Sequence, residues 1–276
     1  MDQFRNQTLS ASRLNQFESC SLAFRFKYID KLPEPPGAAA FRGSVVHLAL
    51  EHLYGLPAAE RTMAKAEEFV SPAFEELLKA EPANAVAVNP NLPWPSAEYE
   101  LAEAEKSEFI EICKGFVRNY FKVENPSTLS PKAVEYKVAG STKAGHKIMG
   151  YIDRLEESES GLIRISDYKT GATPNPRFRD KAWFQLQIYA LLIFQETGKI
   201  AKELKLIYLK DGAAITNSPT MGDLELVENR VITIADAIDD AIINKQFHPK
   251  EGPLCNFCNF QSICPAKGGE APALPY

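Results

Sequence analysis

Gly150-Tyr151-Ile152-Asp153-Arg154, followed across an acidic break by Ile163-Arg164-Ile165-Ser166-Asp167-Tyr168-Lys169-Thr170-Gly171, decides how this chain folds. The first run reads as a short β-strand that ends in an aspartate, and the second alternates apolar and polar residues up to Asp167-Tyr168-Lys169. Residues 156–161 form the hairpin loop between them. Period-2 alternation puts Asp167 and Lys169 on one face, so a carboxylate and an ammonium project side by side. On an ordinary strand such a pair is a solvated ion pair. Here Asp153 ends the preceding strand, Glu135 lies one strand earlier in Val134-Glu135-Tyr136-Lys137-Val138, and a Gly-Ala-Thr loop follows directly. Three strand-borne acids converging on one lysine read as a cation ligand beside a catalytic lysine.

At 276 residues and 45% hydrophobic, the chain holds ample apolar material for a packed core. No apolar run approaches a membrane span, and the first five residues lack the apolar stretch of a signal peptide, so the expectation is a soluble, cytoplasmic protein. The formal net charge of -5 argues against a generally basic nucleic-acid binder. Locally the balance reverses. Arg164, Lys169, Arg177, Arg179 and Lys181 outnumber Asp167 and Asp180, a rim suited to transient phosphate contact or, more simply, a solvated loop.

Upstream, Ser10 is a plausible N-cap, Leu14, Phe17 and Ile29 mark apolar helical faces, and Cys20 lies at a break between two short helices. The triple-proline segment 31–37 is a loop. A helix from Phe41 to near Gly55 carries Gly43 and His47 four residues apart on one face. Residues 58–80 and 97–123 read as further helices separated by a proline-rich segment, 82–95. Tyr99, Phe109, Ile112, Phe116, Val117 and Tyr120 form the core face of the second, with Cys113 a buried small hydrophobe. Strands are expected at 132–139, 146–156 and 162–169, then a helix at 181–197 with Gln185 and Tyr189 on one face, a strand at 203–209 and a helix at 223–245. The outcome is an α/β core preceded by a helical half.

Five cysteines are unevenly placed. Cys255-x2-Cys258-x5-Cys264, with Pro265 after it, supplies three local thiols, and Cys20 is the candidate fourth. Zinc is the alternative occupant, but it usually takes two close pairs and only one Cys-x2-Cys exists. Four thiolates of this origin would staple the first thirty residues to the last twenty.

Taken together, Gly43-x3-His47, Glu135, Gly150-Tyr-Ile-Asp153-Arg154, Asp167-Tyr-Lys169-Thr-Gly171, Gln185-x3-Tyr189 and the one-plus-three cysteines resemble the RecB-type exonuclease branch of the PD-(D/E)XK nuclease superfamily, in its iron-sulfur subgroup. The AddB nuclease domain and the CRISPR adaptation nuclease are similar. One departure is Ser21, where the family often has proline after the first cluster cysteine. No Gly-rich helicase phosphate loop accompanies the motifs.

The resemblance implies a mixed central sheet flanked by helices in one nuclease domain over 1–276. It has a mainly helical part (1–125), a catalytic core (126–245) and a cysteine tail (246–276). It implies that His47, Asp153, Asp167 and the Tyr168 carbonyl ligate Mg²⁺ or Mn²⁺, the histidine favouring Mn²⁺. Glu135 would hold a water or a second ion, Lys169 would stabilise the transition state, and Gln185 and Tyr189 would position groups by hydrogen bonds. Cys20, Cys255, Cys258 and Cys264 would hold a 4Fe-4S cluster. The implied reaction is phosphodiester hydrolysis of single-stranded DNA or DNA ends in repair or recombination, with a helicase or another repair protein as possible partner. A non-catalytic end-binding scaffold and a CRISPR adaptation nuclease are the alternatives.

Overall fold

The computed structural model describes residues 7–96 and 98–276, the side chain of Phe178 excepted. The signal-peptide reading of the first five residues lies outside them. Five strands form one sheet in the order β1 (Pro131–Ser141), β2 (Lys147–Glu157), β3 (Ile163–Lys169), β4 (Glu203–Tyr208), β5 (Ala213–Asn217). β1, β2 and β3 run antiparallel in sequence, β3 and β4 are parallel, and β5 returns antiparallel. The parallel step requires a crossover, supplied by helix α7 (Asp180–Thr197) and ended by Gly198 in the left-handed conformation.

Helices cover both faces, each over its own core. On one face α7 packs with α8 (Met221–Asn244) and the N-terminal α1 (Ala11–Ser19) and α2 (Ser21–Phe24), around Leu14, Ile152, Ile165, Leu186 and Leu206. On the other, α3 (Ala38–Tyr54), α4 (Met63–Ala80), the short α5 (Ala85–Val88) and α6 (Glu103–Val123) enclose Val46, Leu50, Phe74, Cys113, Tyr120 and Ile207. Ser10 caps α1, its hydroxyl accepting from Arg13 N–H at 3.4 Å. Among the described residues no helix is long and apolar enough to cross a membrane.

Three expectations need correction. Asp153 does not end a strand: β2 runs on to Glu157, and the hairpin loop shifts to residues 158–162. β5 went unforeseen because Ala213-Ala214-Ile215-Thr216-Asn217 carries a single large apolar residue, and pairing with β4 makes it a strand. In the second long helix Ile112 faces solvent, and Tyr99 precedes the first turn; Phe109, Val117 and Tyr120 are the buried positions.

One irregularity positions everything that follows. On β2, Ile148 and Ile152 pack toward α7, and so does Leu155 only three residues on, while Arg154 turns to the other face. β1 makes the same switch: Val138 and Tyr136 face α7, but Val134 joins the opposite core. Glu135 and Asp153 lie at this change of face, between the partners Val134–Arg154 and Tyr136–Ile152. Glu135 has φ +47°, a left-handed conformation rare for a residue with a side chain.

Candidate metal centre and the residues around it

α3 brings His47 against the C-terminal end of β3, where the imidazole Nε2–H donates to the Tyr168 carbonyl at 3.0 Å. That contact turns Nδ1 toward the acids, 3.5 Å from Asp153 Oδ1 and 4.0 Å from Glu135 Oε1. Asp153 is itself oriented, because Tyr168 N–H donates to its other oxygen, Oδ2, at 2.6 Å. One donor atom from each of His47, Glu135 and Asp153 lies within 4.8 Å of the others, in the only such group among the described residues.

Asp167 and Lys169 share a face of β3, as period 2 requires, and Lys169 Nζ stands 2.7 Å from Asp167 Oδ2. Lys169 also donates to Gln185 Oε1 at 2.8 Å, and Gln185 Nε2 donates to the Tyr189 hydroxyl at 2.8 Å. The helix positions singled out in the sequence therefore orient the lysine directly. Gly150 makes room for this chain: a Cβ there would stand 2.3 Å from the Tyr189 ring. Gly43 carries no comparable constraint, since its Cβ would meet Thr170 Oγ1 at an ordinary 3.6 Å.

The electrostatics are those of crowded negative charge. Burial, then the neighbouring Asp153, pushes the Glu135 carboxyl up to about 7. Burial also raises Asp167, with Lys169 opposing and Asp153 reinforcing the shift. For His47, burial works against the charged form, yet Asp153, Asp167 and Glu135 together override it and raise the imidazole to about 9. The centre thus holds protons where its acids would normally be ionised. A hard divalent cation answers the same need, and two carboxylates with an imidazole suit Mg²⁺ or Mn²⁺.

Arg154, next in sequence to Asp153, is fully buried on the opposite face and contacts no part of the acid group. Its Nη1 donates to the hydroxyls of Tyr54, Tyr120 and Tyr168 at 2.8–3.0 Å and pairs with Glu124 at 2.7 Å. Lys205 reaches Glu124 at 2.6 Å. A phosphate-contacting Arg154, one of the two roles open at sequence level, is excluded by this burial.

Cys20 sits between α1 and α2, and with Cys255, Cys258 and Cys264 it lines one cavity of about 280 Å³. The chain termini are already joined there. Ser21 and His248 exchange hydrogen bonds at 2.9 and 3.0 Å, and Phe26 meets Phe260 edge-on at 5.4 Å. Cys113 lies apart in the helical core, its thiol pushed up to about 12 by burial.

The profile of the PD-(D/E)XK nuclease superfamily matches residues 8–265. The chain belongs to this superfamily. It is therefore a nuclease-family protein with the mixed five-stranded sheet and flanking helices described above, and PD-(D/E)XK nucleases use divalent metals. Among curated proteins, the Gene 69 protein of Mycobacterium phage D29 is 25% identical over 285 residues, covering 96% of this chain and 99% of its own length. The Gene 69 protein of Mycobacterium phage L5 is 23% identical over 289 residues, covering 93% and 95%. The crystal structure of a candidate exonuclease from Eubacterium rectale superposes with a TM-score of 0.51 at 15% identity, covering 92% of this chain and 87% of that one, a likeness of fold.

Proposed function

We propose that this protein is a metal-dependent deoxyribonuclease of the RecB type, acting exonucleolytically on single-stranded DNA or DNA ends. The observation that carries the reading is the convergence of His47, Glu135 and Asp153 donor atoms within 4.8 Å, beside the Asp167–Lys169 pair. A divalent cation bound there supplies a Lewis acid that activates water and neutralises charge on the phosphate. His47, Asp153 and Asp167 would hold it, with the Tyr168 carbonyl contributing its remaining lone pair. Glu135, nearer to His47 and Asp153 than its sequence role required, joins the ligand set or receives a proton from the attacking water.

Lys169 places a positive charge where the transition state gathers negative charge, and its donor geometry is fixed before substrate arrives by Asp167 on one side and Gln185 on the other. Tyr189 keeps the Gln185 amide oriented with its oxygen toward the lysine.

Four thiolates around one cavity support a 4Fe-4S cluster. A single tetrahedral zinc draws its sulfurs to about 2.3 Å from the metal and so to roughly 4 Å from one another. Among the described residues the cysteines form no group that tight. The cluster would be a staple for 1–276 as one domain, reinforcing the Ser21–His248 and Phe26–Phe260 contacts. In the cell the protein would act in the cytoplasm on recombination or repair intermediates, alongside a helicase or another repair protein.

Purified anaerobically, the protein is expected to be brown, with broad absorbance near roughly 400 nm, and to shorten end-labelled DNA when Mn²⁺ or Mg²⁺ is added. Failure to cut single- or double-stranded DNA with either ion rejects the nuclease reading, and stoichiometric zinc in a colourless preparation rejects the cluster.

A further inference from the structure

Tyr208 is the last residue of β4 and stands directly beside Lys169 in the parallel register. Neighbours in register point to the same face, and the alternation Leu204, Leu206, Tyr208 confirms it, since all three belong to the core under α7. The residue is 4% exposed, yet among the described residues its hydroxyl has no hydrogen-bond partner. A buried hydroxyl left unpartnered costs about 1–3 kcal/mol relative to a satisfied one. Phenylalanine would fill the same space without that cost. The hydroxyl lies within electrostatic reach of Lys169, Asp167 and Arg179.

Arg179, at the start of α7, closes over the same place. Its Nε donates to the Pro174 carbonyl at 3.0 Å, which fixes the guanidinium, and neither terminal nitrogen has a partner among the described residues. The loop between Lys169 and α7 is held down at its other end, where Thr173 N–H donates to Asp211 just beyond β4. A neutral donor and a fixed cation thus meet at the C-terminal ends of the two parallel strands, the place where open α/β sheets present ligands.

We propose that the Tyr208 hydroxyl and the Arg179 guanidinium form a phosphate subsite beside Lys169, which grips the phosphodiester next to the one being cut. The proposal rests on the nuclease reading and assigns it a DNA-positioning pair absent from the motif residues. Tyr208 donates its O–H to a non-bridging oxygen, Arg179 pairs with the same phosphate, and the adjoining linkage is thereby set against Lys169 and the acids.

The test compares wild type, Tyr208→Phe and Arg179→Ala in steady-state cleavage, with Mn²⁺, of an end-labelled single-stranded oligonucleotide. A companion series carries one uncharged methylphosphonate at each successive linkage. In wild type, neutralising one linkage adjacent to the cut is expected to raise KM about tenfold, the effect of one hydrogen bond to a charged group. Tyr208→Phe should raise KM on unmodified DNA by a similar factor and abolish the extra penalty at that linkage, as coupled partners do. Its melting temperature should equal or exceed that of wild type, because the lost hydroxyl was unpartnered. Kinetics within twofold of wild type, penalties that simply add to the variant's, or a melting temperature that falls with activity would each overturn the subsite while leaving the nuclease intact. A wild-type protein that cuts no DNA would overturn the nuclease reading and the subsite with it.

Discussion

Asp153 and Arg154 are neighbours in sequence, yet they belong to two buried charge clusters on opposite faces of the same strands. Around Arg154 every charge is answered: Glu124 accepts from both Arg154 and Lys205, and three tyrosine hydroxyls surround the guanidinium. Despite burial, which pushes it the other way, the Glu124 carboxyl is held down at about 2 by those two cations. Around Asp153 the charges are unanswered, and Glu135 is pushed up to about 7. The first cluster is satisfied by the protein alone and serves the fold. The second is left short of positive charge, a state expected of a site that takes a cation and a reaction rather than stability.

The two clusters should therefore fail in different ways. The largest effect is expected at Lys169: Lys169→Ala should lower cleavage by at least about 10³-fold while DNA affinity stays within a few-fold of wild type, read by single-turnover kinetics and fluorescence anisotropy. A parallel loss of affinity would recast the lysine as a binding residue. Next, Arg154→Ala should destabilise the protein by about 3–5 kcal/mol in urea unfolding, since it strands the buried Glu124 carboxylate. Arg154→Met in a Glu124→Gln background should recover much of that loss.

The pH dependence separates the clusters further. The Glu124 carboxyl is lowered in the fold, so its contribution is full above about 4.5 and disappears as pH falls toward about 2. Glu135 and His47 are raised, so the stability they lend the metal-free protein is present at low pH. It is lost as pH rises through about 7 for Glu135 and about 9 for His47. Metal-free Glu135→Gln should melt a few degrees higher than wild type at pH 8 and scarcely differently at pH 5. Equal differences at both values would show that Glu135 carries no repulsion.

Much of this was legible in the chain. The alternation through Ile163, Ile165 and Asp167 placed Lys169 beside its acid, and the four-residue spacings of Gly43–His47 and Gln185–Tyr189 gave the correct helix faces. What stayed hidden depends on tertiary packing. The change of face at Glu135 and Asp153 left one trace, the three-residue step from Ile152 to Leu155, which breaks period 2. Arg154 could not be assigned because its partners Tyr54, Tyr120 and Glu124 come from two distant helices and the segment after one of them. Tyr208 looked like one more apolar strand residue, and only its register with Lys169 and its unpartnered hydroxyl set it apart.

The claim that the acid group is a cation site held open by its own repulsion is tested most directly by calorimetric titration of Mn²⁺ into metal-free protein at pH 7, in two buffers of different ionisation enthalpy. Because His47 keeps its proton up to about 9 and Glu135 up to about 7, binding should expel about one proton or more per ion. It should tighten as pH rises and vanish in Asp153→Asn. Binding that releases no protons, or that survives Asp153→Asn unchanged, would contradict the account.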